Sequence, residues 1–365
     1  MINWADVRAK FPVTSRSVYL NTAAAGPLAE STAKAGAHYY EQMMNDGDVH
    51  WDEWLARCEA VRRQVAAVIN AEPEEIGFTT NTSSGMNLIV DALEKHGEVI
   101  SCDLEFPVTT IPWMHRRVPV HFVKSTGGVV RAEDVRAAMN TRTGIISMSY
   151  VQFSNGFRSD LEELAAIKGN HTFVVNASQA AGAFEIDVKR MKIDALCATG
   201  HKWMRSGYGS GFVYISKELQ AASRQRIIGW LSVQNPYGMR NDEVHLRHDV
   251  ASRAEIGCVH FAGVFALGAS IELMQSIGIE NIQQRVLELN RVLTSRLGSR
   301  VLSPLGEEKF RSAETLVAAE DPARVVAQLA QQNILVTEKP QGVRVSTDLF
   351  NNEEDIERLV AGLKA

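Results

Sequence analysis

In the run ALCATGHKWMRSGYGSGFVYIS (residues 195–216) an apolar stretch ends in Thr199-Gly200-His201-Lys202, and a Gly-rich loop follows. A lone lysine at a strand end is ordinarily a solvated side chain. At the ligand-binding edge of a sheet, beside a threonine and a histidine able to hold a phosphate, Lys202 reads instead as a lysine that forms a Schiff base. Three other stretches carry compatible chemistry. In FTTNTSSGMN (78–87), Thr82, Ser83 and Gly85 open an amphipathic run. Free N–H groups and small hydroxyls at a helix start either bind an anion or serve as an ordinary cap. In DLEFPVTTIPW (103–113), Phe106 follows a strand and either covers a flat ring or enters the core. In FVVNASQAAGA (173–183), an apolar strand start gives way to two amides, Asn176 and Gln179. Three apolar residues, two of them β-branched, suit a strand covered on both faces. The edge where the amides emerge is where open α/β sheets bind ligands.

The elements that must position these residues alternate in type. Short apolar runs at 74–79, 98–102, 118–123, 144–149, 172–175, 195–199 and 211–215 predict strands. Between them lie helical patterns at 83–95, 132–139 and 160–168; in the first, Met86, Ile89, Val90 and Leu93 fall on one face. This order implies an α/β fold with a mostly parallel seven-stranded sheet and helices on both faces. Beyond about Ala254 the texture changes. Helices are expected at 260–276 and 282–297, and strands at 315–318, 334–337 and 343–346. Asp321-Pro322 has the form of an N-cap with proline at the first helical position. Asn352 starts a closing helix striped by Ile356, Leu359, Val360 and Leu363. The expected division is a large α/β domain over 16–255 and a smaller α+β domain over 256–365, joined by residues 1–15.

At 365 residues the chain is long enough for two cores, and 45% hydrophobic with 22% charged residues argues against disorder. A net charge of −5, with lysine and arginine scattered, gives no case for nucleic acid or an anionic membrane as partner. Cys58, Cys102, Cys197 and Cys258 show no metal-type spacing and suit a reducing compartment. With no signal-like start and no apolar run of spanning length, the expected location is the cytoplasm.

Taken in order, these segments resemble fold-type I enzymes dependent on pyridoxal 5′-phosphate (PLP), in detail the class V aminotransferase and cysteine desulfurase-like family. The family's Y-L-(D/N)-x-A segment is similar to Tyr19-Leu20-Asn21-Thr22-Ala23-Ala24, and its phosphate turn to Thr82-Ser83-Ser84-Gly85-Met86-Asn87. Its D-x-x-Q motif resembles Asn176-Ala177-Ser178-Gln179, and its (S/T)-x-H-K motif Thr199-Gly200-His201-Lys202. Its R-x-S-x-x-x-(Y/F)-N resembles the segment from Arg344 to Asn351. The resemblance implies that Lys202 carries PLP as a Schiff base. It implies that Thr82, Ser83, Thr199 and His201 hold the phosphate and that Phe106 stacks on the ring. Residue 176 would meet the ring nitrogen and Gln179 the phenolic oxygen. Arg344, with Asn21 and Ala24 nearby, would bind the substrate, and the active sites would lie at the interface of a homodimer.

Departures from the family pattern narrow the chemistry. Asparagine stands at 176 where the family has aspartate. Family desulfurases place a histidine over the ring where this chain has Phe106, and a mobile cysteine before the C-terminal arginine, whereas residues 333–346 contain none. RAEIGC (253–258) is similar to a segment, R-F-E-x-G-T, that reaches the partner's phosphate, with Cys258 in place of the threonine. The implied reaction is β-elimination, epimerisation or transamination of an amino acid. A cysteine desulfurase or selenocysteine lyase, or a PLP-binding protein of weakened activity, are the alternatives.

Overall fold

The protein is described by a computed structural model covering residues 2–364. Twelve strands follow one another in the described chain: β1 (Val18–Tyr19), β2 (Ile76–Phe78), β3 (Glu98–Cys102), β4 (Val120–Val123), β5 (Thr143–Ser149), β6 (Thr172–Asn176), β7 (Ala195–Thr199), β8 (Gly211–Ile215), β9 (Glu314–Ala318), β10 (Ile334–Leu335), β11 (Thr337–Lys339) and β12 (Gly342–Ser346). Seven form one sheet in the order β2-β8-β7-β6-β5-β3-β4, in which β8 alone runs opposite to the other six. All seven expected strands are present, three of them with the expected bounds.

Side-chain alternation explains why these strands are apolar throughout. Phe173 and Val175 of β6 enter one core, while Val174 enters the core on the other face with Met86, Ile89, Val90 and Leu93 of the helix Thr82–Leu93. Cys197 lies in that second core as a small apolar residue. Strands β3, β5, β6 and β7 run parallel, so Cys102, Ser149, Asn176 and Thr199 end at one edge of the sheet.

The C-terminal region builds a three-stranded antiparallel sheet, β11-β12-β9. The strand expected at 334–337 divides: β10 pairs in parallel with β1, and β11 joins β12 instead. Asp321 caps its helix by accepting from the Arg324 N–H at 3.0 Å, and Asn352 caps the last helix by accepting from the Asp355 N–H at 3.0 Å.

Packing does not follow the division expected at 255/256. Val18 and Leu20 pack with the C-terminal strands, and Arg8 is tied to Asp355 at 2.8 Å. The helix Phe261–Ile277 packs in the main core against the helices Glu30–Asp46 and Trp51–Val68. On these contacts we propose that the smaller unit starts near residue 279 and takes in residues 2–20. The helices at 30–46 and 51–68 carry no expectation from sequence. Only Thr32 of the first is fully buried, so its apolar stripe is faint. No single helix among the described residues is long and apolar enough to cross a membrane, and no cluster of His, Cys, Asp or Glu there could hold a metal.

Candidate active site

The sheet edge opens into a cavity of about 310 Å³ that gathers residues from seven distant parts of the chain. Its lining includes Ala24, Thr82, Ser83, Phe106, Asn176, Gln179, Thr199, His201, Lys202 and Arg344. Two expected site residues lie elsewhere. Asn21 spends its side-chain carbonyl on the Thr337 hydroxyl and does not line the cavity. Cys258 is exposed and lines two neighbouring cavities, of about 540 and 310 Å³.

Lys202 follows β7 and is set by close backbone approach. Gly26 N–H donates to the His201 carbonyl at 2.7 Å, and a Cβ on Gly26 would lie 2.1 Å from the Lys202 carbonyl oxygen. Only glycine fits there. Burial pushes the Lys202 amine down to about 8, with Glu314 opposing and Arg344 and Lys339 adding to the fall. Its ammonium nitrogen stands 5.8 Å from the centre of the Phe106 ring. Phe106 is 44% exposed, so it is not a core side chain; it meets Phe153 edge-on at 5.0 Å.

The helix Thr82–Leu93 begins at the cavity. Asn81 caps it by accepting from the Ser84 N–H at 3.0 Å, leaving the first-turn N–H groups of Thr82 and Ser83 unneeded by the helix. The Thr82 hydroxyl bonds instead to the Ser178 hydroxyl at 2.6 Å. Across the cavity, Thr199 Oγ1 and His201 Nδ1 are hydrogen-bonded at 2.6 Å, and His201 stacks on Tyr208 with ring centres 4.4 Å apart. Burial, reinforced by nearby Lys202, pushes the His201 imidazole down to about 4, so it is neutral at pH 7.

The two amides at the sheet edge are both held. Asn176 Oδ1 accepts from the Ser178 N–H at 3.1 Å and from its hydroxyl at 2.6 Å, while Nδ2 donates to Thr109 at 3.0 Å. Gln179 donates to the Ala23 carbonyl at 3.0 Å and accepts from Trp203 Nε1 at 2.9 Å.

Arg344 arrives on β12. Val343 and Val345 enter the small-domain core, so strand alternation turns Arg344 to the opposite face, where it is buried at the cavity. It donates to the Phe153 carbonyl at 3.3 Å, and its Nε has no partner. Residues outside the sequence motifs complete the site. Glu314 is buried 3.5 Å from Arg344, and burial pushes its carboxyl up against the pull of Arg344, Lys202 and Lys339. Lys339 lines the cavity above Phe153, and burial, with Arg344 adding, pushes it down to about 8. Neither stands in a recognisable motif; only the β9/β12 register and the split at 336 bring them here.

These groups fit PLP. A buried lysine of lowered pKa faces a half-open aromatic ring, helix-start N–H groups are available for a phosphate, and a buried guanidinium has an unused donor for a carboxylate.

Comparison with known proteins agrees. The family described as Aminotransferase class-V matches residues 18–359. An uncharacterized aminotransferase, YcbU, of Bacillus subtilis is 24% identical, over 98% of this chain and 96% of that one. A probable cysteine desulfurase of Methanothermobacter thermautotrophicus is 28% identical over 80% and 76%, and an isopenicillin N epimerase of Amycolatopsis lactamdurans 25% over 99% and 98%. A cysteine desulfurase from Thermococcus onnurineus has the same fold, with a TM-score of 0.88 at 24% identity over 98% of this chain and 96% of that one. So does a C-DES mutant carrying glycine covalently linked to its PLP cofactor, with a TM-score of 0.88 at 21% identity over 98% of each chain. The chain therefore belongs to the class V aminotransferase family of PLP-dependent enzymes.

Proposed function

We propose that this enzyme carries PLP on Lys202 and acts at the α- or β-carbon of an amino acid by β-elimination, epimerisation or transamination. The observation that carries the reading is the presence of Lys202 and Arg344 on the wall of one cavity. Bound there, PLP supplies an electron sink for bonds at the α-carbon. The Lys202 amine, with a pKa near 8, is partly neutral at pH 7, and so can both attack a carbonyl and later move a proton. The Arg344 guanidinium orients a substrate carboxylate, and Phe106 closes one face of the cavity.

A persulfide-forming mechanism lacks its thiol. Cys58, Cys102 and Cys197 are buried, Cys258 lies outside the cavity, and residues 333–346 hold no cysteine. Asn176 disfavours transamination, which asks most of the electron sink, so the reading leans toward lyase or epimerase. The same residue supports a second reading, a PLP-binding protein of weak activity. A homodimer fits the exposed apolar residues Tyr40, Met44, Tyr208, Trp230 and Tyr237, and the place of Cys258 on a loop outside the cavity.

The test is a panel of amino acids assayed for keto acid, ammonia, sulfide and D-isomer, with wild type and Lys202→Ala. Borohydride reduction and peptide mapping should place the pyridoxyl group on Lys202. Activity retained in Lys202→Ala would sink the proposal, and silence across the panel with Lys202 loaded would select the second reading.

A further inference from the structure

The hydrogen bonds around Asn176 decide what it can offer a ligand. The Ser178 backbone N–H can only donate, so the oxygen of the amide, not its nitrogen, must face it. The Ser178 hydroxyl donates to the same oxygen, which fills both of its lone pairs. The nitrogen spends one of its two hydrogens on Thr109 Oγ1. Asn176 is 4% exposed, lines the cavity, and has a single N–H left. Toward any ligand it is a donor and nothing else.

Nearby, in the 103–113 turn, lies the carboxyl group of Glu105, a half-buried residue. Having accepted from Asn176, the Thr109 hydroxyl has its own proton to give, and it favours the charged form of Glu105. Glu105 accepts from the Ser149 N–H and the Gln152 amide, both at 2.6 Å, and from the Ser149 hydroxyl at 2.5 Å. Burial pushes the Glu105 carboxyl up, and these hydrogen bonds work against it. With donors on every side, the pocket is arranged for a carboxylate.

Resting on the PLP reading above, we propose that Asn176 donates its remaining N–H to the ring nitrogen of the cofactor, holding that nitrogen unprotonated, and that Thr109, by accepting the other N–H, orients the donor. A protonated ring nitrogen would set N–H against N–H at this position. An aspartate there would offer lone pairs and negative charge, and would favour the protonated ring. Thr109 is a positioning residue, since Asn176 alone meets the ring.

The experiment is nitrogen NMR of the holoenzyme loaded with PLP labelled with nitrogen-15 in the ring, at neutral pH, alongside borohydride mapping of Lys202. The expected wild-type resonance is that of an unprotonated, hydrogen-bonded pyridine. Asn176→Asp should move it to the pyridinium position. Thr109→Val, which keeps the shape and removes the link, should leave the ring unprotonated and shift the resonance toward that of a pyridine without a donor. A pyridinium resonance in the wild type, with Lys202 loaded, overturns this inference alone. An unchanged resonance in Thr109→Val removes Thr109 from the arrangement. Failure of Lys202 to load overturns the PLP reading itself.

Discussion

Arg344 and Glu314 face each other across neighbouring strands, with Nη1 standing 3.5 Å from a carboxylate oxygen that has no hydrogen bond of its own. The register pairs Arg344 with Leu316 and Ser346 with Glu314, so the two charges sit diagonally on the cavity face of the small sheet. The guanidinium has a buried Nε without a partner, and on the proposed reading it binds a substrate carboxylate. Lysine cannot present that planar fork. Arg344→Lys should lower kcat/KM by the equivalent of about 2–4 kcal/mol, from the loss of a charge-assisted bidentate contact. Steady-state kinetics on the best substrate of the panel checks this, and unchanged efficiency would remove Arg344 from the site.

Loading of PLP should follow the ionisation of Lys202. Only the free amine attacks the cofactor aldehyde, so the rate constant for loading the apoprotein should rise with pH and level off above a midpoint near 8. An unshifted lysine would place that midpoint about two units higher. Glu314 is the neighbour that holds the amine's pKa up, so Glu314→Gln should move the midpoint to lower pH. Stopped-flow absorbance across pH 6 to 10 reads both. A midpoint that stays fixed in Glu314→Gln would mean that Glu314 carries no charge in the folded protein.

Sulfur release, if the panel finds it, should not pass through a protein thiol. Burial pushes Cys58 up to about 12 and raises Cys102 and Cys197 further, so none is a thiolate near neutrality. Cys258→Ser should leave sulfide release within about twofold of wild type, with no persulfide detectable by alkylation and mass spectrometry. Abolished sulfur transfer in that variant would restore the desulfurase reading.

The loop that carries Lys202 is anchored by a buried pair. Arg205 donates to Asp348 through Nε at 2.9 Å and Nη2 at 2.5 Å, and the Arg205 N–H donates to the Lys202 carbonyl at 2.9 Å. Removing one partner of such a pair strands the other charge in the core, which costs about 3–5 kcal/mol. Asp348→Asn should lower the urea midpoint of the apoprotein accordingly. A midpoint matching the wild type would show that the pair adds nothing to stability.

Much of this was legible in the amino-acid order. The strands β3, β7 and β8 and the cap residues Asp321 and Asn352 declare themselves through local pattern, because apolar runs buried on both faces and N-cap side chains act within a few residues of chain. Lys202, Ser83, Phe106, Asn176 and Arg344 could be picked out because each stands at a strand end, at a helix start or on an alternating strand. Tertiary structure decided the rest. Lys339 reaches the cavity and Glu314 reaches Arg344 through strand register, Thr109 reaches Asn176 through the fold of the 103–113 turn, and Asn21 turns away because Thr337 takes its carbonyl. Sequence states which groups a chain owns and how they alternate. Which of them share a hydrogen bond, and so which single N–H of Asn176 is left over, depends on segments more than sixty residues apart being packed to within about 3 Å.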